Sequence, residues 1–226
     1  MITLSPQDFS AIVLSLKVAT SATLLALPFG FGVAYLLAIK KIRGKVFIEG
    51  IVNLPLVLPP VVIGYLLMLL LGKSGFIGSF LDKIGITLMF SLKGAVIAST
   101  VVGFPLLVRS IRTGLEAIDL NYLSVARTLG AGWFDTVWSI MIPLSARAIL
   151  AGMTLMFARS LGEFGATIIL AGNIPGITQT IPLAIFQYTS MPGGDSMALG
   201  LCVVSIILSY LVLMTGELVS RYLARG

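Results

Sequence analysis

The chain has 226 residues, of which 58% are apolar and only 11% charged, with a net charge of +6 and no histidine. Soluble domains run at roughly 45–50% apolar and about 25% charged. A mean hydropathy of +1.07 therefore excludes a disordered chain, a water-soluble enzyme and a nucleic-acid module, and leaves an integral membrane protein. The missing histidines exclude zinc-protease motifs, His-based triads and His–metal sites. The single Cys202, in an apolar run, has no intrachain disulfide partner.

In chain order, Met1–Ser10 carries no basic segment of the kind that opens a signal peptide, and the apolar stretch after it is too long for one. A retained first span is predicted at Phe9–Ile39. Further spans of the roughly 20 apolar residues a bilayer needs are predicted at Val46–Leu71, Gly94–Ile111, Ala148–Leu170 and Ser196–Val219. A sixth crossing around Ile181–Thr189 stays open, although that run is too short to cross alone. The fold class is thus an all-α polytopic bundle of five or six spans in one domain, 1–226. Interruptions are expected at Pro55, Pro59, Pro60 and Pro105, where freed backbone groups can line a cavity.

Basic residues favour the cytoplasmic side of a membrane. With the N-terminus outside, Lys40, Lys41, Arg43, Lys45, Arg109, Arg112, Arg127, Arg147, Arg221 and Arg225 fall inside, and only Lys73, Lys83 and Lys93 fall outside. Topology therefore accounts for the positive charge, and no nucleic-acid partner is required. Gly72-Lys73-Ser74 is not the end of a phosphate-binding loop, because the glycine that motif needs at position 67 is Leu67.

The segment Arg112–Arg147 is the least membrane-like and is predicted on the cytoplasmic side. Asp119 can cap a short helix, Leu120–Leu129, with Leu120, Leu123, Ala126 and Leu129 on one face and Gly130 in the left-handed position beyond its end. A second short helix is predicted at Trp133–Ile140, with Pro143 opening the next span. Composition alone fits equally an interfacial hairpin on lipid headgroups and a docking element for a soluble partner.

Within this segment, Ser124-Val125-Ala126, three residues, Gly130, nine residues and Ile140-x-Ile142-Pro143 resemble the EAA loop of ATP-binding-cassette importer permeases. That pattern reads Glu-Ala-Ala, three residues, Gly, nine residues, Ile-x-Leu-Pro. Spacing agrees throughout, with Ser124, Val125 and Ile142 as the departures. Asn53–Tyr65, Phe157–Thr167 and Asn173–Pro182 extend the resemblance to the molybdate permeases of type I importers, relatives of the sulfate/thiosulfate permeases. The resemblance implies a homodimeric permease in the bacterial inner membrane, working by alternating access. It also implies two cytoplasmic ATPase subunits and a periplasmic or lipoprotein oxyanion-binding protein as partners. This chain would then hold no cofactor and catalyse nothing, ATP and Mg being used by the partner ATPase. Ser124, Val125, Ala126, Arg127, Gly130, Ile140 and Pro143 would couple it to that ATPase, and Asn173–Pro182 with Gly193-Gly194 would meet the binding protein. Sulfate or tungstate is the alternative cargo, and an ATP-independent channel or carrier the alternative class.

Charges at membrane depth are functional hypotheses by default. Arg159 and Glu163 are four residues apart on one helix face, and Lys17 lies at a compatible depth in the first span, so a Lys17–Glu163–Arg159 cluster joining the first and fourth spans is expected. A passing oxyanion needs weak contacts, for which Ser160, Thr167, Thr178 and Thr180 are the candidates, with Pro105 opening the backbone.

Overall fold

The computed structural model describes residues 5–40 and 43–222. Lys41 and Arg225, counted above in the orientation, and Met1–Leu4 lie outside these residues, as does the side chain of Leu120. Every regular element among the described residues is helical.

Helix α1 (Pro6–Ile39) begins at a capping box: Ser5 Oγ accepts from Asp8 N, Asp8 Oδ2 accepts from Ser5 N, and Pro6 takes the first turn. Helices α2 (Lys45–Val57) and α3 (Pro60–Leu71) meet at 113°, so the expected straight span Val46–Leu71 is a broken pair. The cause is local. Pro59 and Pro60 lack N–H groups, and Leu58 and Pro59 sit extended at ψ 141° and 134°, the conformation a following proline imposes. After the short α4 (Phe76–Lys83), α5 (Leu92–Glu116) starts where Ser91 Oγ accepts from Gly94 N. It runs unbroken through the buried Pro105, as α2 runs through Pro55. The interruptions expected at those two prolines do not occur: Pro105 is held within the packed α5, and α2, which buries no residue, runs on through Pro55 all the same.

Helix α6 (Leu120–Thr128) follows, then α7 (Trp133–Thr136), a π-helical turn (Val137–Met141) and α8 (Ile142–Leu161), the last three forming one rod from Trp133 to Leu161. The separate helix expected at Trp133–Ile140 and the span start expected at Ala148 are both corrected by this continuity. Pro143 would clash with the turn before it in a regular α-helix; the wider turn, in which Ile142 N donates to Val137 O, relieves that. The expected loop 112–147 shrinks to 117–132. At the far end the expected span Ala148–Leu170 breaks at Gly162–Phe164, giving α9 (Gly165–Ala171). The chain ends with α10 (Ile181–Thr189), too short to cross alone, and α11 (Asp195–Tyr222). Among the described residues, four helices are long and apolar enough to cross a membrane, and the bent α2–α3 pair makes a fifth crossing if it counts as one span.

Helix α5 is the centre, packed mainly between α1 and α8. Small residues set the α5–α8 distance: Gly103 faces Met156, Gly152 faces Ser110 and Leu107, and Gly114 faces Ala148, while Ser110 Oγ donates to Ala148 O at 2.8 Å. Close backbone approach of this kind replaces the hydrophobic driving force that lipid removes. The main core continues through Leu107, Ile111, Leu115 and Ile118 to Leu123, Val137 and Met141, so the hairpin end and the spans share one packed body. Helix α11 leaves Ile206, Tyr210 and Leu211 exposed.

Candidate functional site

Two places gather the residues singled out from the sequence. The first is the hairpin between α5 and α8. Asp119 Oδ1 accepts from Asn121 N at 2.9 Å and caps α6. Gly130, at φ 84°, ends it: Gly130 N donates to Arg127 O and Ala131 N to Ala126 O, both at 3.0 Å, the paired bonds of a Schellman ending. Leu123 and Ala126 turn into the core, whereas Leu129, expected on the same face, is 82% exposed because it already lies past the last helical turn. Ser124, Val125, Arg127 and Gly130 face outward, Ile140 packs half-buried on the core, and Pro143 is exposed at the start of α8.

An anchor not anticipated from the sequence fixes the hairpin. Trp133 Nε1 donates to the hydroxyl of Tyr35 at 3.0 Å across 98 residues of sequence, with the two rings edge to face. Phe134 stacks edge-on against Trp133 and is itself exposed. Tyr122 and Val125 on the nine-residue α6, and Leu129 just past its end, are also exposed and apolar, on a segment not long enough to cross a bilayer. Beside the hairpin, four charges tie α2 to α5. Arg112 reaches Glu49 at 2.9 Å and Glu116 at 2.7 Å, and Lys45 stands 3.9 Å from Glu49 and 3.8 Å from Glu116. The i,i+4 spacing of Lys45–Glu49 and Arg112–Glu116 was the available sequence signal.

The second place is where the two broken helices touch. The backbone of Ala166 lies against Gly64, leaving no room for a side chain there, and Gly165 abuts Pro60 and Val61. The α2–α3 bend and the α8–α9 break therefore form one joint. Glu163 holds it: Oε1 accepts from Ala166 N at 2.9 Å, satisfying an N-terminal N–H of α9, and Oε2 pairs with Arg159 at 2.7 Å. Its side chain is 1% exposed and that of Arg159 32%. Lys17 is not part of this group. It is exposed on the opposite stripe of α1, beside Val13, Leu16, Thr20 and Ser21, with no carboxylate within 4 Å among the described residues. The expected three-charge cluster is a pair within this chain. That expectation compared positions along the helix axes and left out direction around them. The buried residues Ala11, Leu14, Ser15, Val18, Ala19 and Ala22 define a face that excludes position 17.

The hydroxyl candidates separate. Ser160 is buried against Gly103 of α5, and its Oγ has no hydrogen-bond partner. Thr167 is buried in α9. Thr178 is used up inside its own loop, accepting from Ile174 N at 3.0 Å and donating to Gly172 O. Thr180 is buried with a free Oγ1. In Asn173–Pro182 only positions 175–177 are exposed, and Ile181 N is tied to Ser15 Oγ of α1 at 2.8 Å. Pro105 is buried in α5. Among the described residues no group of His, Cys, Asp and Glu side chains is arranged to hold a metal.

Residues 26–225 match the family model described as binding-protein-dependent transport system inner membrane component. The chain is 51% identical to the molybdenum transport system permease protein ModB of Haemophilus influenzae, over 95% of this chain and 94% of that one. It is 48% identical to the protein of the same description from Escherichia coli K12, over 96% of both. In three dimensions it superposes on a chain of the inward-facing MetNI methionine ABC transporter with a TM-score of 0.74 at 17% identity, covering 97% of this chain and 99% of that one. A chain of a bacterial ABC transporter importing the acidic polysaccharide alginate gives 0.77 at 16% identity, covering 96% and 80%. These likenesses establish the type I importer permease fold.

Proposed function

The chain belongs to the family of binding-protein-dependent transport system inner membrane components, and from that premise we propose that it is the permease that carries molybdate inward across the bacterial inner membrane. The observation carrying this reading is the 48–51% identity, over nearly the full length of both partners, to permeases described as molybdenum transporters. The molecule is a multi-pass membrane protein and a transport subunit rather than an enzyme. Two copies form one pathway, each receiving one ATPase subunit on the α6 hairpin, and an oxyanion-binding protein delivers cargo to the opposite end. The N-terminus lies outside and the C-terminus in the cytoplasm.

The geometry supplies a mechanism for coupling. Only Ala117–Asp119 separates α5 from α6, and only Leu129–Gly132 separates α6 from α7. A force on the exposed face of Tyr122, Val125, Leu129 and Phe134 therefore reaches α5 and α8 together. These two are locked by close glycine contacts and move as one body. The give is at the joint of the two broken helices, where half-helices can swing while the Glu163 carboxylate keeps α9 attached to Arg159. Closure of the ATPase pair on ATP would thus be converted into alternate opening of the two ends.

The test is uptake of labelled molybdate into proteoliposomes holding the permease with its ATPase and binding protein. The expected result is ATP-dependent uptake that excess sulfate does not suppress. Uptake of sulfate in preference to molybdate, or uptake that follows membrane potential without ATP, would overturn it.

A further inference from the structure

Between α1, α2 and α5 lies an open-sided pocket of about 550 Å³ on the hairpin side of the α2 bend. Its polar lining is Glu49 and Asn53 from α2 and Arg109 and Arg112 from α5, and Leu56 and Val57 form its apolar end. Charge is unevenly committed there. Lys45, Arg112, Glu49 and Glu116 neutralise one another as a set. Arg109, one turn further from the end of α5, has no carboxylate within 4 Å among the described residues. It lies seven residues before the end of α5 and is exposed, so its guanidinium is open to water or to an anion entering from that side. The volume holds roughly eighteen waters at about 30 Å³ each, enough for a small anion with part of its hydration shell.

We propose that this cavity is a binding site for a tetrahedral oxyanion group, with the guanidinium of Arg109 as its charged contact and the amide of Asn53 as its neutral donor. Resting on the permease reading above, it is the last station of the cargo before release. Arg112 contributes little, since Glu49 and Glu116 already engage it. One uncompensated cation beside one amide gives a weak site, as transport demands, because a deep site would retain what it should pass on. Phospholipid phosphate shares this chemistry and approaches from the adjoining leaflet, so the experiment separates the two sources.

The permease–ATPase complex, crystallised with lipid and soaked in sodium tungstate, is examined at the tungsten absorption edge. A tungsten peak beside Arg109, lost in Arg109→Gln and retained in Arg109→Lys, assigns the site to a free oxyanion. Phosphate density continuous with acyl chains at the same place assigns it to lipid and still upholds the oxyanion chemistry. A cavity with neither overturns the proposal. In parallel, free-anion occupancy is expected to appear as at least a fivefold fall in molybdate uptake for Arg109→Gln, with ATPase co-purification unchanged and partial recovery in Arg109→Lys. Wild-type uptake in Arg109→Gln together with an empty cavity removes the site and leaves the permease function standing. Failure of the unmodified importer to carry molybdate, with the tungsten peak present, removes the cargo assignment and leaves the site.

Discussion

Gly130 allows a graded test of the hairpin, because its surroundings isolate one physical cause. A β-carbon added at Gly130 would meet nothing within 4 Å, so a substitution there clashes with no neighbour. What it meets is the backbone, held at φ 84°, where an L-residue costs roughly 1–2 kcal/mol. If the chain escapes that strain by unwinding, it gives up the bonds from Gly130 N and Ala131 N, each worth about 1 kcal/mol net. Either route costs about 1–2 kcal/mol, or roughly a 5–30-fold change in the population of the folded hairpin. Asparagine tolerates the left-handed region and β-branched residues do not, so ATPase binding should fall in the order Gly, Asn, Ala, Val. Membrane insertion should be constant across the series, since the spans are packed elsewhere. The measurements are co-purification of the ATPase and ATP-driven uptake. An alanine variant equal to wild type, or an asparagine variant as impaired as valine, would refute the assignment of Gly130 to the helix ending.

Three further outcomes are expected. Glu163→Ala should lower the melting temperature in detergent more than Glu163→Gln, because glutamine still accepts from Ala166 N, whereas alanine leaves both that N–H and Arg159 without their partner; the alanine cost is about 1–3 kcal/mol, the range for a buried donor left unsatisfied, since Arg159 is partly exposed and regains water, and equal melting of both variants and wild type would show the joint does not depend on this carboxylate. Gly64→Leu should abolish transport by pushing α3 off Ala166, whereas Gly32→Ala, with open space around it, should transport normally; uptake assays of the two variants check the contrast. Trp133→Phe should cost about 1 kcal/mol of stability through loss of the Tyr35 bond, while the exposed Phe134→Ala should melt normally and weaken ATPase co-purification, and the reverse pattern would exchange their roles.

The extent to which the fold was legible in the sequence depends on which residues carried the signal. Helices α1, α5 and α11 were found to within a few residues at their starts, since their apolar runs are long. The ends of α6 were legible because Asp119 is a strong cap and Gly130 suits the left-handed position. The break at Gly162–Phe164 was not, because a glutamate that caps α9 and pairs back to Arg159 looks in one dimension like an ordinary helix-face ion pair. Arg112 and Arg147 were read as loop because charge marks a span's end by composition. In the structure Arg112 remains helical and is answered by Glu49 and Glu116. Lys17 was misplaced because depth is a one-dimensional quantity, whereas partnership also needs the right azimuth. The Tyr35–Trp133 bond joins positions too far apart in sequence for any local pattern to signal.

The π-turn before Pro143 has a consequence for the angular indexing of the rod that carries it. Five residues there occupy a turn that normally takes about four, so everything on its α7 side is rotated by roughly 100° relative to an uninterrupted helix. At that setting Trp133 meets Tyr35 while Gly152 keeps Ser110 further along the rod. Removing one residue between Val137 and Met141 would close the wide turn, restore the clash at Pro143 and swing the indole away from α1. The irregular turn works as a fixed gear offset between the hairpin end of the rod and its far end.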